Sequence, residues 1–225
     1  MNEYLKAQNK TNETVISGSF HAEELDRFSK SDFRWANNRK KQFQFRTVKK
    51  GEIYQFEFGK NYVPEMSYEH RGLVIGVKKK LLYVLPIFSY SPSKHPDVYH
   101  SIDFPNSKSD LFLLKSEDFS FLTHDSVLKL NDIRTVSINR ILYQHTGRID
   151  LNSDTYKQIE SLVLQKYFPE IHHELAQKEA AVTALDKDKK KLEEENTALI
   201  KENEKLKEEL KSLKAKLSTS YSKQL

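Results

Sequence analysis

A leucine repeat near the C-terminal end constrains the fold of this chain more than any other feature. Leucines recur every seven residues at Leu185, Leu192, Leu199, Leu206 and Leu213. The companion seam positions hold Leu175, Val182, Lys189, Asn196, Asn203, Leu210 and Leu217. This heptad pattern is typical of a coiled coil, in which helices bury their seams against each other. The repeat predicts one helix over about residues 169–217, paired with a second copy of the chain.

Polar residues along the repeat favour a parallel dimer. Asparagines at Asn196 and Asn203 on the seam cost stability, but their amides pair across two parallel strands and fix the register. Opposite charges at Glu202 and Lys207 fit the same arrangement. A single solvated, charged helix is the alternative. A basic-zipper DNA-binding protein is not supported, because the residues before the leucines mix acids with bases.

Composition indicates that only part of the chain is packed core. Hydrophobic residues make up 37% of the 225 residues and charged residues 31%, which is charge-rich for one globular unit. Without cysteine there are no disulfides and no cysteine-based zinc sites. No apolar run is long enough to span a bilayer, and the first residues lack the apolar core of a signal peptide. We therefore expect a cytoplasmic protein, and no motif calls for a cofactor or a metal.

The N-terminal region, residues 1–48, is expected to be a polar and basic extension that contains a helix. Residues 1–20 show no period and are predicted to be mobile, whereas Leu25, Phe28 and Trp35 suggest helix between residues 22 and 45. From Arg34 to Lys50 the chain has seven cations and no acid, with aromatic residues interleaved. That mixture suits single-stranded nucleic acid. The candidate RNA contacts here are Arg39, Lys40, Lys41, Arg46 and Lys49. An amphipathic helix with a basic polar face is the alternative.

The middle of the chain, residues 49–148, is predicted to be all-β. Six short runs are rich in β-branched and aromatic residues. They are Ile53–Phe58, Leu73–Val77, Leu81–Ile87, Leu111–Leu114, Val127–Leu130 and Ile133–Ile138. This number of short strands fits a strongly bent sheet or an SH3-like barrel. An amphipathic helix over residues 155–168, with Ile159 and Val163 on its apolar stripe, should pack on that sheet.

Several segments of this region carry a family resemblance. The stretch from Asp125 to Leu142, DSVLKLNDIRTVSINRIL, resembles the D-S…I-R-T…R-L segment of the MazF/PemK family of bacterial toxin endoribonucleases. Residues 51–59, 67–75 and 81–89 resemble the opening strand, the arginine loop with its following strand, and the third strand of that family. The resemblance covers about residues 49–168.

The resemblance implies a fold, a reaction and partners. The fold would be an SH3-like (CcdB/PemK-type) small barrel with a C-terminal helix. The reaction would be metal-free cleavage of single-stranded RNA that leaves a 2′,3′-cyclic phosphate and a 5′-hydroxyl. The chain would form a homodimer through the barrel, as well as through the coiled coil, and would be held inactive by a cognate antitoxin. The domains would be residues 1–48, the barrel at 49–168, the coiled coil at 169–217 and a disordered tail at 218–225.

The catalytic residue by resemblance is Arg71, whose planar, permanently charged guanidinium suits a phosphate. Ser89 is the candidate hydroxyl, and His70, beside Arg71, is a candidate proton carrier. Lys79 and His100 are further candidate RNA contacts.

Two departures from the family pattern leave a second function open. Gly72 follows Arg71 where the family has proline, and Phe88 stands where the family has a hydroxyl residue, with Ser89 next. The alternative is a catalytically inactive barrel that acts as a binding or scaffold protein, dimerised by its coiled coil. Ser89 facing Arg71 favours the enzyme, whereas Phe88 facing Arg71 favours the binding protein.

Overall fold

A computed structural model describes residues 1–18, 20–39 and 47–221, with side-chain detail up to residue 214. Within it the chain divides into two compact units, Met1–Tyr167 and Phe168–Leu225. Lys40, Lys41 and Arg46, three of the predicted RNA contacts, lie outside the described residues. No helix of the described part is long and apolar enough to cross a membrane.

The described part of the first unit contains two helices, seven strands and a further helix. The N-terminal helices are α1 (Asn2–Ile16) and α2 (Ala22–Asn38). The strands are β1 (Glu52–Glu57), β2 (Glu69–Lys78), β3 (Leu81–Ser89), β4 (Leu111–Leu114), β5 (Ser126–Lys129), β6 (Arg134–Ser137) and β7 (Ile141–Arg148). A 3₁₀ turn (Ile138–Arg140) leads into β7, and helix α3 (Asp154–Tyr167) ends the unit.

The strands form one open, antiparallel sheet in the order β4-β5-β3-β2-β1-β7. Strand β3 is long enough to pair with β6 along its first half and with β5 along its last residues. The six predicted strands are confirmed. Strand β7 was missed, because its polar residues at Gln144, His145 and Thr146 break the apolar pattern that marks the other strands. Closure of the sheet into an SH3-like barrel stays a prediction.

Both faces of the sheet carry core, which explains why its strands are apolar at consecutive positions. Helix α3 covers one face, where Ile53, Leu73 and Leu85 pack with Ile159 and Tyr156. The predicted packing of this amphipathic helix is confirmed. The other face buries Phe56, Val74, Leu82, Val84 and Ile141. Arg134 pairs with Asp132, with Nε 2.8 Å from Oδ1.

The N-terminal region contains one helix that was not predicted and one that was. Residues 2–16 are helical, whereas the mobility expected for residues 1–20 stays a prediction. Helix α1 buries no residue, so no apolar period in the sequence marks it. Helix α2 confirms the helix expected there and is anchored to the sheet by Ser31, whose buried hydroxyl donates to Glu57 at 3.0 Å.

In the second unit the described residues from Pro169 to Tyr221 form a single continuous helix, α4 (Pro169–Tyr221). Proline fits its first position, where the missing N–H has no partner within a helix. At 1.5 Å per residue its 53 residues span roughly 80 Å. The helix continues to Tyr221, four residues beyond the predicted end of the coiled coil, and residues 222–225 lie outside the described part. The pairing of α4 with a second copy stays a prediction.

Candidate functional site

The candidate site is the polar end of the sheet face that α3 covers. On that face the apolar residues Ile53 and Leu73 lie opposite each other on β1 and β2. The next pair on the same face, two residues away on each antiparallel strand, is Gln55 and Arg71. Tyr143 of β7 lies opposite Gln55 on its other side. Since paired residues of an antiparallel sheet point to the same side, these three polar side chains form a row.

Arg71 is held in this row by a serine from a more distant strand. Its Nη2 donates to the Ser126 hydroxyl at 3.0 Å, reaching across β3 to β5. Burial lowers the pKa of Arg71, and the nearby Tyr143 acts in the opposite sense. An arginine nevertheless stays protonated in proteins, so the site presents a fixed cation with several N–H donors.

Ser89 shares the face of Arg71, and Phe88 does not. Ser89 lies opposite Ser126 across the β3–β5 pair, and its hydroxyl is 2.8 Å from Nε2 of His124. Phe88 points to the other side and packs against Val127 in a separate small cluster. Ser89 rather than Phe88 therefore lies on the side of the sheet that carries Arg71.

Gly72 is explained by packing on the opposite face. A Cβ atom there would lie 2.4 Å from Cγ1 of Val84 and 2.9 Å from Cδ2 of Phe56. Both neighbours are fully buried, so the core leaves no room for a side chain at this position.

The site also contains a histidine that the sequence analysis missed. His145 lies on β7, two residues from Tyr143, with Nε2 3.0 Å from Oε1 of Gln55 and its ring centroid 5.2 Å from that of Tyr143. Burial, and then the positive charge of Arg71, lower the pKa of His145. The lowered pKa favours the neutral imidazole, which can accept a proton. Because β7 was not predicted as a strand, His145 could not be assigned to one face of the sheet from the sequence.

The candidate proton carrier His70 is on the wrong side for Arg71. It pairs with Phe56, whose side chain belongs to the opposite face. Burial, followed by the charge of Arg27 on α2, lowers the pKa of His70. The structure therefore brings His145, rather than His70, to the face of Arg71.

The remaining predicted RNA contacts do not gather around Arg71. Lys79 lies in the β2–β3 turn, eight residues along β2 and thus roughly 26 Å from Arg71. His100 is only 7% exposed, and its ring accepts the backbone N–H of Asp103, which is a structural arrangement. Lys49 is exposed just before β1. Arg39 ends α2, with its guanidinium 5.3 Å from the ring centroid of Trp35.

The described residues include no group of three or more His, Cys, Asp or Glu side chains that could hold a metal ion. No protein-family model matches the chain, and no curated protein sequence matches it either. Function must therefore be argued from the geometry of the site.

Proposed function

We propose that this chain is a metal-independent endoribonuclease of the MazF/PemK type, a toxin of a toxin–antitoxin or related defence system, that cleaves single-stranded RNA. One observation carries the proposal: an arginine, two histidines and two serines occupy one end of one sheet face. They are Arg71, His124, His145, Ser89 and Ser126. Phosphodiester cleavage without a metal requires a cation, a group that accepts a proton and a group that donates one.

The reaction has simple requirements. The ribose 2′-hydroxyl attacks the adjacent phosphorus, and the bond from phosphorus to the 5′-oxygen breaks. A base takes the proton from the 2′-hydroxyl, an acid supplies one to the leaving 5′-oxygen, and a cation stabilises the phosphoryl oxygens. The products are a 2′,3′-cyclic phosphate and a 5′-hydroxyl.

The side chains of the site match these roles. Arg71 would bind the phosphoryl oxygens through the N–H groups not used on Ser126. His145, whose lowered pKa favours the neutral form, would accept the 2′-hydroxyl proton. His124, held by Ser89, would protonate the leaving oxygen. Ser126 would position Arg71, since its hydroxyl is completely buried and bonded to that guanidinium.

The proposal extends to architecture and partners. The bent sheet would close as an SH3-like barrel and form a dimer, and a cognate antitoxin would cover the face of Arg71. Helix α4 would pair in parallel with its copy. The support is its row of leucines from Leu185 to Leu213, each more than half exposed in the single chain. An apolar stripe of that length is stabilised when a partner removes it from water.

The decisive experiment is cleavage of a single-stranded oligoribonucleotide by the purified full chain. Arg71→Ala should slow cleavage by on the order of 100-fold or more, because it removes the cation that stabilises transition-state charge. Arg148→Ala is the matched control, since Arg148 is an exposed arginine on β7 outside the site. Equal rates for Arg71→Ala and the wild type would remove Arg71 from the mechanism.

The binding or scaffold protein is the second candidate, and it is favoured by the large share of the chain devoted to α4. Induced expression separates the two functions. An RNA-cleaving toxin arrests growth of the host cell in the wild-type form but not as Arg71→Ala. A scaffold leaves growth equal in both cases and shows no cleavage in vitro.

A further inference from the structure

A polar cleft lies between helix α2 and the part of the sheet where β1 ends and β7 begins. Its volume is about 430 Å³. Helix α2 contributes Trp35, Asn38 and Arg39 to its lining, and the sheet side contributes Asn139 and Arg140.

The walls of this cleft are fixed by ion pairs. Arg34 of α2 holds Glu57 at 3.0 Å and Glu69 at 2.5 Å, which ties the helix to the ends of β1 and β2. Lys60 pairs with Asp32 at 2.6 Å. These contacts neutralise Arg34 and Lys60, and they position the helix without help from a ligand.

Two further arginines line the cleft, and their charges are not balanced by an acidic side chain among the described residues. In the described part of the chain, neither Arg39 nor Arg140 pairs with a carboxylate. Arg140 is oriented by a backbone contact, since its Nη1 donates to the carbonyl of Glu57 at 2.9 Å. Gly59 leaves space for it, because a Cβ atom there would lie 3.1 Å from Nη1. Uncompensated guanidinium groups in a cleft attract anions and bind phosphate oxygens well.

An aromatic ring lies next to these cations. Trp35, the only tryptophan of the chain, is 63% exposed. The guanidinium of Arg39 lies 5.3 Å from its ring centroid. A large exposed aromatic beside unpaired arginines is the combination on which unpaired bases stack while their phosphates are neutralised. The amides of Asn38 and Asn139 add donors and acceptors that can read the edge of a base.

We propose that this cleft binds one nucleotide of single-stranded RNA, with its base stacked on Trp35 and its phosphate held by Arg140 and Arg39. The inference rests on the proposed function for the identity of the ligand. The cleft is also placed to belong to the same RNA path as Arg71. Glu57 in its lining lies two residues, or about 7 Å, along β1 from Gln55, which contacts His145. A strand of RNA whose scissile phosphate is at Arg71 would place a neighbouring nucleotide in the cleft, where sequence preference would be set.

The single tryptophan provides a direct assay. The full chain is titrated with a single-stranded 2′-O-methyl oligoribonucleotide, which cannot be cleaved because its 2′-oxygen is blocked. Saturable quenching of Trp35 fluorescence is expected. Arg140→Gln and Arg39→Gln should each weaken binding, whereas Arg148→Gln, the same charge change on β7 outside the cleft, should not. Trp35→Ala, followed by anisotropy of a labelled oligonucleotide, should weaken binding by on the order of tenfold or more.

The controls make each outcome decisive. Far-UV circular dichroism and thermal melting check that Arg140→Gln keeps its fold. If Arg140→Gln does not fold, the binding test rests on Arg39→Gln, which changes an exposed residue at the end of α2. Equal quenching by inorganic phosphate would show an anion site only and would overturn the inference. RNA cleavage without any change at Trp35 would also overturn it while leaving the proposed function intact. Quenching of Trp35 by the oligonucleotide, without cleavage of unmodified RNA, would support the binding cleft and overturn the proposed function.

Discussion

Adding one methyl group at Gly72 tests the packing that supports the candidate site. In Gly72→Ala the new Cβ would lie 2.4 Å from Cγ1 of Val84, about 1.0 Å closer than the 3.4 Å at which ordinary contact begins. It would also lie 2.9 Å from Cδ2 of Phe56. Neither fully buried neighbour can move into solvent, so the substitution overpacks the core at a cost of about 1–3 kcal/mol. For a unit of this size that corresponds to a melting temperature lower by roughly 2–12 °C.

Two further variants show whether the steric reasoning is correct. Gly76→Ala is the matched control on the same strand, because its Cβ would meet Tyr83, a partly exposed side chain that can move. It should cost less than Gly72→Ala. Val84→Ala alone should destabilise through lost burial and a cavity, but in combination with Gly72→Ala it removes the closest clashing atom. The double variant should therefore be more stable than the sum of the single effects predicts, by about 1 kcal/mol.

Denaturant unfolding followed by near-UV circular dichroism is the appropriate assay, because the buried aromatic side chains, such as Phe56 and Tyr156, belong to the Met1–Tyr167 unit and not to α4. A Gly72→Ala chain as stable as the wild type would refute the reasoning, and so would strict additivity in the double variant. In either case the glycine that follows Arg71 would need an explanation other than core packing.

Three other predictions concern the reaction and the helix. The cleavage rate should fall at low pH, because protonated His145 cannot accept a proton. Burial and Arg71 lower the pKa of His145, so the fall begins below the ordinary pKa of histidine. The pH–rate profile of His145→Gln should lack this acid limb. An acid limb unchanged in that variant would exclude His145 as the base. Cleavage should be equal with EDTA and with added Mg²⁺, and a requirement for metal would indicate a different mechanism. Because the chain has no cysteine, Asn196→Cys should form a disulfide between copies under mild oxidation if α4 pairs in parallel and in register, whereas Lys201→Cys, on the outer side of the heptad, should not. Absence of the Asn196→Cys cross-link would contradict the parallel coiled coil.

The sequence alone determined the elements whose residues carry their own periodic signal. The apolar runs of the six predicted strands and the stripe of α3 each reflect burial within one segment, and the leucine repeat of α4 has a helical period of its own, so local patterns were sufficient. Helix α1 and strand β7 carry no such signal. The helix buries nothing, and β7 lies at the end of the strand order with the exposed polar residues Gln144 and Thr146 on one side.

Only the tertiary structure decided which polar residues meet. Arg71 and Ser126 are 55 residues apart in the chain, Gln55 and His145 are 90 apart, and Ser89 and His124 are 35 apart. Strand order and register bring them to one end of one face, and they also place His70 on the other face. A shift of one residue in register would exchange the faces, so adjacency to Arg71 in the sequence could not identify its partner histidine. The reason is physical: side chains alternate across a sheet, and the neighbours of a strand are chosen by packing over the whole fold.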